Sequence, residues 1–197
     1  DALNDPQLGK QNNGHFQILW CGRLEKVKGV SALIKLIECL EPLGNQIRLR
    51  IVGSGSMESE LRRIVEKSSF VSLHSSEERE SLYQTSHLQI NTSEFEAMGI
   101  ALIDGLRFGL PIIAFEVGGI PELCSPTCGR LVKPGDIKGF FRAIQEQLEL
   151  YHSNQLPTGE AKQLYQNRFS AEQFIRGIQS TYQQTMEENQ SQQKRVL

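Results

Sequence analysis

Short apolar runs alternate along this chain with longer segments whose apolar residues recur every three or four positions. Phe16-Gln-Ile-Leu-Trp-Cys21 is apolar enough to be a strand buried on both faces. Beyond a loop at 22–29, Leu33, Ile34, Leu36, Ile37 and Leu40 share one face at helical spacing and predict a helix over Val30–Leu40. Ile47–Val52 alternates apolar residues with arginine, which predicts a second strand nearer a sheet edge. Gly53-Ser-Gly55 then turns the chain into a helix near 56–67. Further strands are expected at 70–73, Leu88–Asn91, 111–115 and Gly129–Val132, with Pro111 tolerated at a strand's first position. Helices are expected from Ser76 to about Thr85, from Gly99 to the stop at Phe108-Gly109, and from a cap at Asp136 to about Tyr151. After a loop at 156–159, one more begins near Ala161, and a final amphipathic helix runs from Ser170 to about Met186.

Strands alternating with helices define an α/β chain, with a Rossmann-like parallel sheet covered by helices on both faces. Residues 1–14 read as a linker or frayed end, 15–186 as one domain, and 187–197 as a polar, disordered tail. Ligands of such sheets sit beyond the carboxyl ends of the strands. Most of the unusual residues fall in five loops placed there: 22–29, 53–55, 74–76, 92–99 and 117–121.

Composition narrows the function. A chain of 197 residues with a net charge of −2 has no basic field for nucleic acid or anionic lipid. No apolar run approaches the ~20 residues of a membrane span. No signal peptide precedes Phe16, and without an initiating Met the chain reads as a cut-out of something longer. Cys21, Cys39, Cys124 and Cys128 make no dense framework, which points to free thiols in a reducing compartment. Cys124 and Cys128 would supply only two ligands to a zinc, and His15, His74, His87 and His152 are scattered, so no metal and no His-based triad is assigned.

Four constellations carry chemistry. Arg23 and Lys28, five residues apart after the first strand, suit a phosphate: a planar fork and a point charge, with Gly22 and Gly29 shaping the turn. Lys26 between them reads as solvated. Glu96 and Asp104 flank Gly99, and eight residues of helix put them about 12 Å apart. That span fits the two polar ends of an elongated ligand, and the helix start between them favours an anion. It exceeds the roughly 5 to 9.5 Å of paired glycosidase carboxylates, which counts against hydrolysis. Gly118-Gly119-Ile-Pro121-Glu122 lets backbone approach a ligand and starts a helix. Gly53-Ser-Gly55 is half of a dinucleotide fingerprint, but Glu58 stands where its third glycine belongs, so a nicotinamide site is disfavoured. Each pattern also has a bland reading as solvated charges and ordinary turns. His74, at a strand end, is a candidate for a base pocket or simply a loop residue.

Taken together and in order, these segments resemble the C-terminal domain of family 4, or group 1, retaining glycosyltransferases of the GT-B fold. The matching residues are Gly22-Arg23-Leu24 with Lys28-Gly29, Gly53-Ser-Gly55, Glu96-Ala-Met-Gly99 with Asp104-Gly105, Gly109 and Pro111, Gly118-Gly119-Ile-Pro-Glu122, and Gly129-Arg-Leu-Val-Lys-Pro-Gly135-Asp136. The likeness covers about 16–182. It implies that Arg23 and Lys28 hold a donor diphosphate with Gly22 beside them, and that Glu96 contacts donor-sugar hydroxyls. Backbone N–H groups at Met98, Gly99 and Ile100 would meet phosphate and sugar. Asp104 would bind the ribose, with His74 and Ser75 edging the base. Arg23, Lys28 and Glu96 would then be the catalytic set, acting without metal or cofactor on a nucleotide diphosphate sugar. The acceptor would be a hydroxyl, the linkage retained, and the acceptor site would belong to a missing N-terminal domain, leaving this piece inactive alone. The full-length protein is expected in the cytoplasm or at the cytoplasmic face of a membrane. Four residues depart from the family pattern: Asp104 and Gly105 replace the family's Glu-Ala, and Ala97-Met98 replace Gly-Phe. They leave two alternatives in view, a module that binds sugar nucleotides without catalysis and a GT-B epimerase. A flavodoxin-like signalling domain is disfavoured because no acidic cluster ends the first strand.

Overall fold

The computed structural model describes residues 14–195. The linker expected up to residue 14 lies outside them at 1–13, as does the expected tail at 196–197. Among the described residues, six strands form one parallel sheet in the order β3-β2-β1-β4-β5-β6. They are β1 (Phe16–Cys21), β2 (Ile47–Val52), β3 (Val71–His74), β4 (Leu88–Asn91), β5 (Ile112–Phe115) and β6 (Gly129–Val132). The α-helices of the described residues are α1 (Val30–Leu40), α2 (Glu58–Val65), α3 (Arg79–Gln84), α4 (Ile100–Arg107), α5 (Ile120–Leu123), α6 (Ile137–His152), α7 (Thr158–Arg168) and α8 (Ala171–Arg195).

The strand pleat divides the core. Phe16, Ile18 and Trp20 of β1 face α1 and α6, in the largest apolar cluster. Leu19 and Cys21, on alternate positions, face Leu82 and Tyr83 of α3. On the same side, α4, α5 and α7 pack over β5 through Leu102, Leu106, Ile120, Leu123 and Ala161. Helices therefore cover both faces, and the fold is Rossmann-like, as the alternation of elements implies. β2 lies one strand in from the β3 edge. Its Arg50 is 9% exposed and donates to the hydroxyls of Thr85 and Ser86 at 2.8 and 2.7 Å. Those hydroxyls return to the carbonyls of Ser81 and Leu82, so the guanidinium serves the carboxyl end of α3.

Several elements differ in extent from their sequence patterns. The loop 22–29 contains a 3₁₀ turn at Lys26–Lys28, and a second one at Ser76–Glu78 precedes α3. α7 begins at Thr158, ahead of the apolar face that first appears at Ala161. α8 runs to Arg195, past the apolar positions that end at Met186. Asp136 caps α6 as its position suggests, accepting from the Gly139 N–H at 2.8 Å.

Candidate functional site

Strand order reverses between β1 and β4, which makes the gap beyond their carboxyl ends the crevice where doubly wound sheets bind ligands. The loops leaving those two strands are 22–29 and 92–99, and they are stitched together. Trp20 Nε1 donates to Thr92 Oγ1 (3.1 Å), Thr92 Oγ1 donates to the Gly29 carbonyl (3.0 Å), and the Glu94 N–H donates to the Val27 carbonyl (3.0 Å). Gly29 has φ +73°, and a Cβ there would stand 1.6 Å from the Thr92 carbonyl oxygen, so glycine is required. The next loop is tied in as well: the Leu24 N–H donates to the Ser54 carbonyl, and the Ser56 hydroxyl and N–H hold the Glu25 carboxyl below the usual carboxylate range.

This stitching brings Lys28 and Glu96 into an ion pair of 2.6 Å, with the two side chains 21% and 15% exposed. The other Glu96 oxygen accepts the Gly99 N–H at 3.2 Å. Both oxygens of Glu96 are thus held at the amino end of α4, where N–H groups lack intrahelical acceptors. Gly99 itself is buried at φ +70°. Arg23 and Lys26, in the same loop as Lys28, are both exposed. Asp104, five residues into α4, lies on that helix but is engaged elsewhere: Arg79 Nη2 bonds its Oδ2 at 2.8 Å. At the neighbouring β3 end, His74 Nε2 meets Ser72 Oγ (2.8 Å) and His74 Nδ1 meets Glu78 Oε1 (3.0 Å). The Ser75 N–H also donates to Glu78, at 3.0 Å. The bond to His74, and after it the one to the Ser75 N–H, holds the Glu78 carboxyl low.

Gly118 and Gly119 serve chain against chain. A Cβ on Gly118 would stand 2.0 Å from the Glu96 carbonyl oxygen, and one on Gly119 2.2 Å from that of Ala97. The Gly119 N–H donates to the Glu96 carbonyl at 3.0 Å. The glycine pair therefore supports the Glu96 loop from behind; the sequence reads it as an approach to ligand. Gly105 also has a local reason: a Cβ there would stand 1.8 Å from Gln89 Oε1.

Sequence reasoning missed Arg79, Glu78 and the exposed Phe95, and it named Met98 and Ile100 for their backbone N–H groups without the exposure of their apolar side chains. Arg79 and Glu78 show in the sequence only as a helix opening, and their partners are visible only in three dimensions. A groove of about 980 Å³ lies away from these residues, between β6 and α6, lined by Cys124, Arg130 and Gln147 among others. Among the described residues, no cluster of three or more His, Cys, Asp or Glu is placed to hold a metal ion. No described helix is long and apolar enough to cross a membrane.

The fold is that of the C-terminal, Rossmann-like half of GT-B glycosyltransferases. The family described as "Glycosyl transferases group 1" matches residues 3–164, and the chain belongs to it. The GtfA subunit of UDP-N-acetylglucosamine–peptide N-acetylglucosaminyltransferase of Streptococcus pneumoniae is 29% identical over 59% of this chain and 23% of its own length. The capsular polysaccharide biosynthesis glycosyltransferase CapM of Staphylococcus aureus is 21% identical over 90% of the chain and 48% of its own. Escherichia coli O-antigen chain mannosyltransferase C is 23% identical over 93% and 53%. The chain thus spans from about a quarter to about half the length of these relatives. Among solved structures, Anabaena HepE in complex with UDP superposes with a TM-score of 0.75 at 21% identity, over 87% of this chain and 49% of HepE. Pneumococcal GtfA in complex with UDP and GlcNAc gives 0.71 at 23%, over 91% and 37%.

Proposed function

We propose that this chain is the donor-binding half of a retaining glycosyltransferase that moves a sugar from a nucleotide diphosphate sugar to a hydroxyl acceptor without a metal. The Lys28–Glu96 pair at the switch point carries the proposal. A lysine ammonium has three N–H donors and spends one on Glu96, leaving two for phosphate oxygens. Arg23, exposed beside it, adds a guanidinium fork. With the amino end of α4 they form a positive rim that stabilises charge on a departing diphosphate, the work a metal performs in other transferases. Glu96, fixed through both oxygens, presents acceptor lone pairs to sugar hydroxyls. Asp104, further along α4, suits the ribose, and His74 and Ser75 edge the base. The solved relatives that hold UDP favour this use of the crevice. The acceptor site and the second wall of the cleft belong to an N-terminal domain. Phe174, Ile178 and Tyr182 of α8 are exposed apolar positions on its proposed packing face.

The test is transfer by the full-length protein, with the product's anomeric configuration read by NMR in EDTA. An α-linked product from an α-linked donor, formed in EDTA at the rate seen without it, is expected. An inverted linkage refutes retention, and loss of activity in EDTA refutes metal independence. Efficient transfer by the 197 residues alone refutes the need for a partner domain.

One observation bears on the reading as a binding module without catalysis. Gly105, one of the departures that suggests decay, is matched by Gln89, whose amide fills the space a Cβ would take and donates to the Ala101 carbonyl at 2.8 Å. A matched pair argues for a site adapted as a unit.

A further inference from the structure

Two adjacent residues at the start of α3, Glu78 and Arg79, reach the base edge and the ribose end of the proposed donor site at once. Glu78 holds His74 and Ser75. Arg79 holds Asp104 by Nη2–Oδ2 at 2.8 Å. α3 is in turn locked onto α4 one turn later. Tyr83 donates its hydroxyl to the Ala101 carbonyl (2.8 Å) and stacks on Phe108 with ring centroids 5.5 Å apart. Ala101, Asp104 and Phe108 lie three and four residues apart, so α3 grips a single face of α4 at three levels.

Resting on the donor reading above, we propose that Arg79 is a positioning residue that sets how Asp104 meets the ribose of the donor. Aspartate is one methylene shorter than the glutamate the family resemblance leads one to expect. A short carboxylate on a helix has few places to reach, and its orientation decides whether a hydroxyl meets an oxygen lone pair. Arg79 takes Oδ2; among the described residues none bonds Oδ1, which remains for a ribose hydroxyl. Side-chain exposures of 50% and 29% put the pair in solvent, where an ion pair adds little to stability. Its consequence is orientation, together with a counter-charge that keeps Asp104 from repelling a diphosphate nearby. Arg79 is itself seated by its neighbours, because Glu78 is fixed by His74 and Ser75 while Tyr83 is buried against α4.

The test uses the full-length protein and measures Kd by calorimetry for UDP, GDP and ADP, then for the 2′-deoxy and 3′-deoxy forms of whichever binds. Wild type should favour the ribo form over at least one deoxy form. Arg79→Ala should weaken the ribo form about ten-fold, the usual effect of losing a hydrogen bond to a charged group, and leave the deoxy form nearly unchanged. Asp104→Asn should erase the same discrimination, and the double variant should lose no more than either single one. Arg79→Lys keeps the charge without the fork and should retain only part of the discrimination. Circular dichroism and thermal melts establish that each variant is folded. Discrimination left intact in Arg79→Ala overturns the inference alone. An equal loss for ribo and deoxy forms also overturns it, since that marks direct contact with the diphosphate. Wild-type protein that binds no nucleoside diphosphate overturns the donor reading, and this inference with it.

Discussion

Gly105→Ala sets helix propensity against packing. Gly105 lies inside α4, where alanine is ordinarily favoured over glycine by up to ~1 kcal/mol. Propensity alone therefore expects a gain. The added Cβ would stand 1.8 Å from Gln89 Oε1 and 2.9 Å from its Cδ, so Gln89 must turn away. Gln89 is 1% exposed, and its amide nitrogen donates to the Ala101 carbonyl at 2.8 Å. Gln89 Oε1 has no partner to lose, but breaking the bond from Nε2 leaves that buried donor unpaired and costs about 1–3 kcal/mol, on top of any shift of α4. The net expectation is a destabilisation of about 1–2 kcal/mol, which lowers the melting temperature by roughly 2–8 °C in a domain of this size. Gly105→Ala should recover in the Gln89→Ala background, because the shorter side chain leaves room for the Cβ and no longer depends on the Ala101 carbonyl. Chemical denaturation of the four proteins in a double-mutant cycle measures the coupling. A single variant more stable than the parent, or one whose loss is undiminished by Gln89→Ala, refutes the reasoning.

Other consequences follow from the same contacts. Gly29→Ala should destabilise severely, by more than ~3 kcal/mol, or abolish folding, because its Cβ would overlap the Thr92 carbonyl at a φ of +73°; denaturant melts read it. Lys28→Ala should weaken nucleoside diphosphate binding about ten-fold or more, since a phosphate contact and the anchor of Glu96 are lost together, whereas Lys26→Ala, on the exposed side of the same turn, should change it less than two-fold in calorimetry. Burial, and after it the charge of Cys128, pushes the Cys124 thiol up to about 12 from 9.0. Between those values the unfolded chain gives up a proton that the folded chain keeps, so stability present below pH 9 is lost as pH rises toward 12, and Cys124→Ala should make that decline shallower in pH-dependent melts. Exposed Cys39 should react with a disulfide reagent at pH 8 well ahead of the other three thiols, whose ionisation burial opposes.

The parts of the fold legible in the sequence are those with local patterns. Phe16–Cys21 and Val30–Leu40 appear at the expected bounds because an all-apolar run and a helical stripe each bury themselves in one obvious way. The clustering of unusual residues at strand ends is equally visible, but the Lys28–Glu96 ion pair is not: the sequence sets Lys28 with Arg23 at a phosphate and Glu96 at a sugar, and only the structure joins the two side chains. Pairings set by tertiary contact leave no such trace. Nothing near Arg79 announces that it reaches Asp104, 25 residues on, and a glycine inside a helix reads as a weakness until Gln89 is seen in its space. Gly118 and Gly119 look like a ligand cradle because the sequence records the need for close approach but not what approaches; here it is the backbone of the Glu96 loop. Arg50, read as one half of an alternating pattern, is buried because hydroxyls at the end of α3 happen to lie within reach.

The most direct test of the donor site is a thermal-shift titration of the 197-residue chain with UDP, GDP, ADP and their common sugar conjugates, with and without EDTA. A ligand that binds only the folded state stabilises it by about 2.7 kcal/mol at a hundred times its Kd, a rise of roughly 5–11 °C for a domain of this size. A saturable rise with one base, unchanged by EDTA and largely lost in Lys28→Ala, is the expected result. No rise with any nucleotide, in this chain and in the full-length protein alike, would contradict a donor site at Lys28, Glu96 and Asp104.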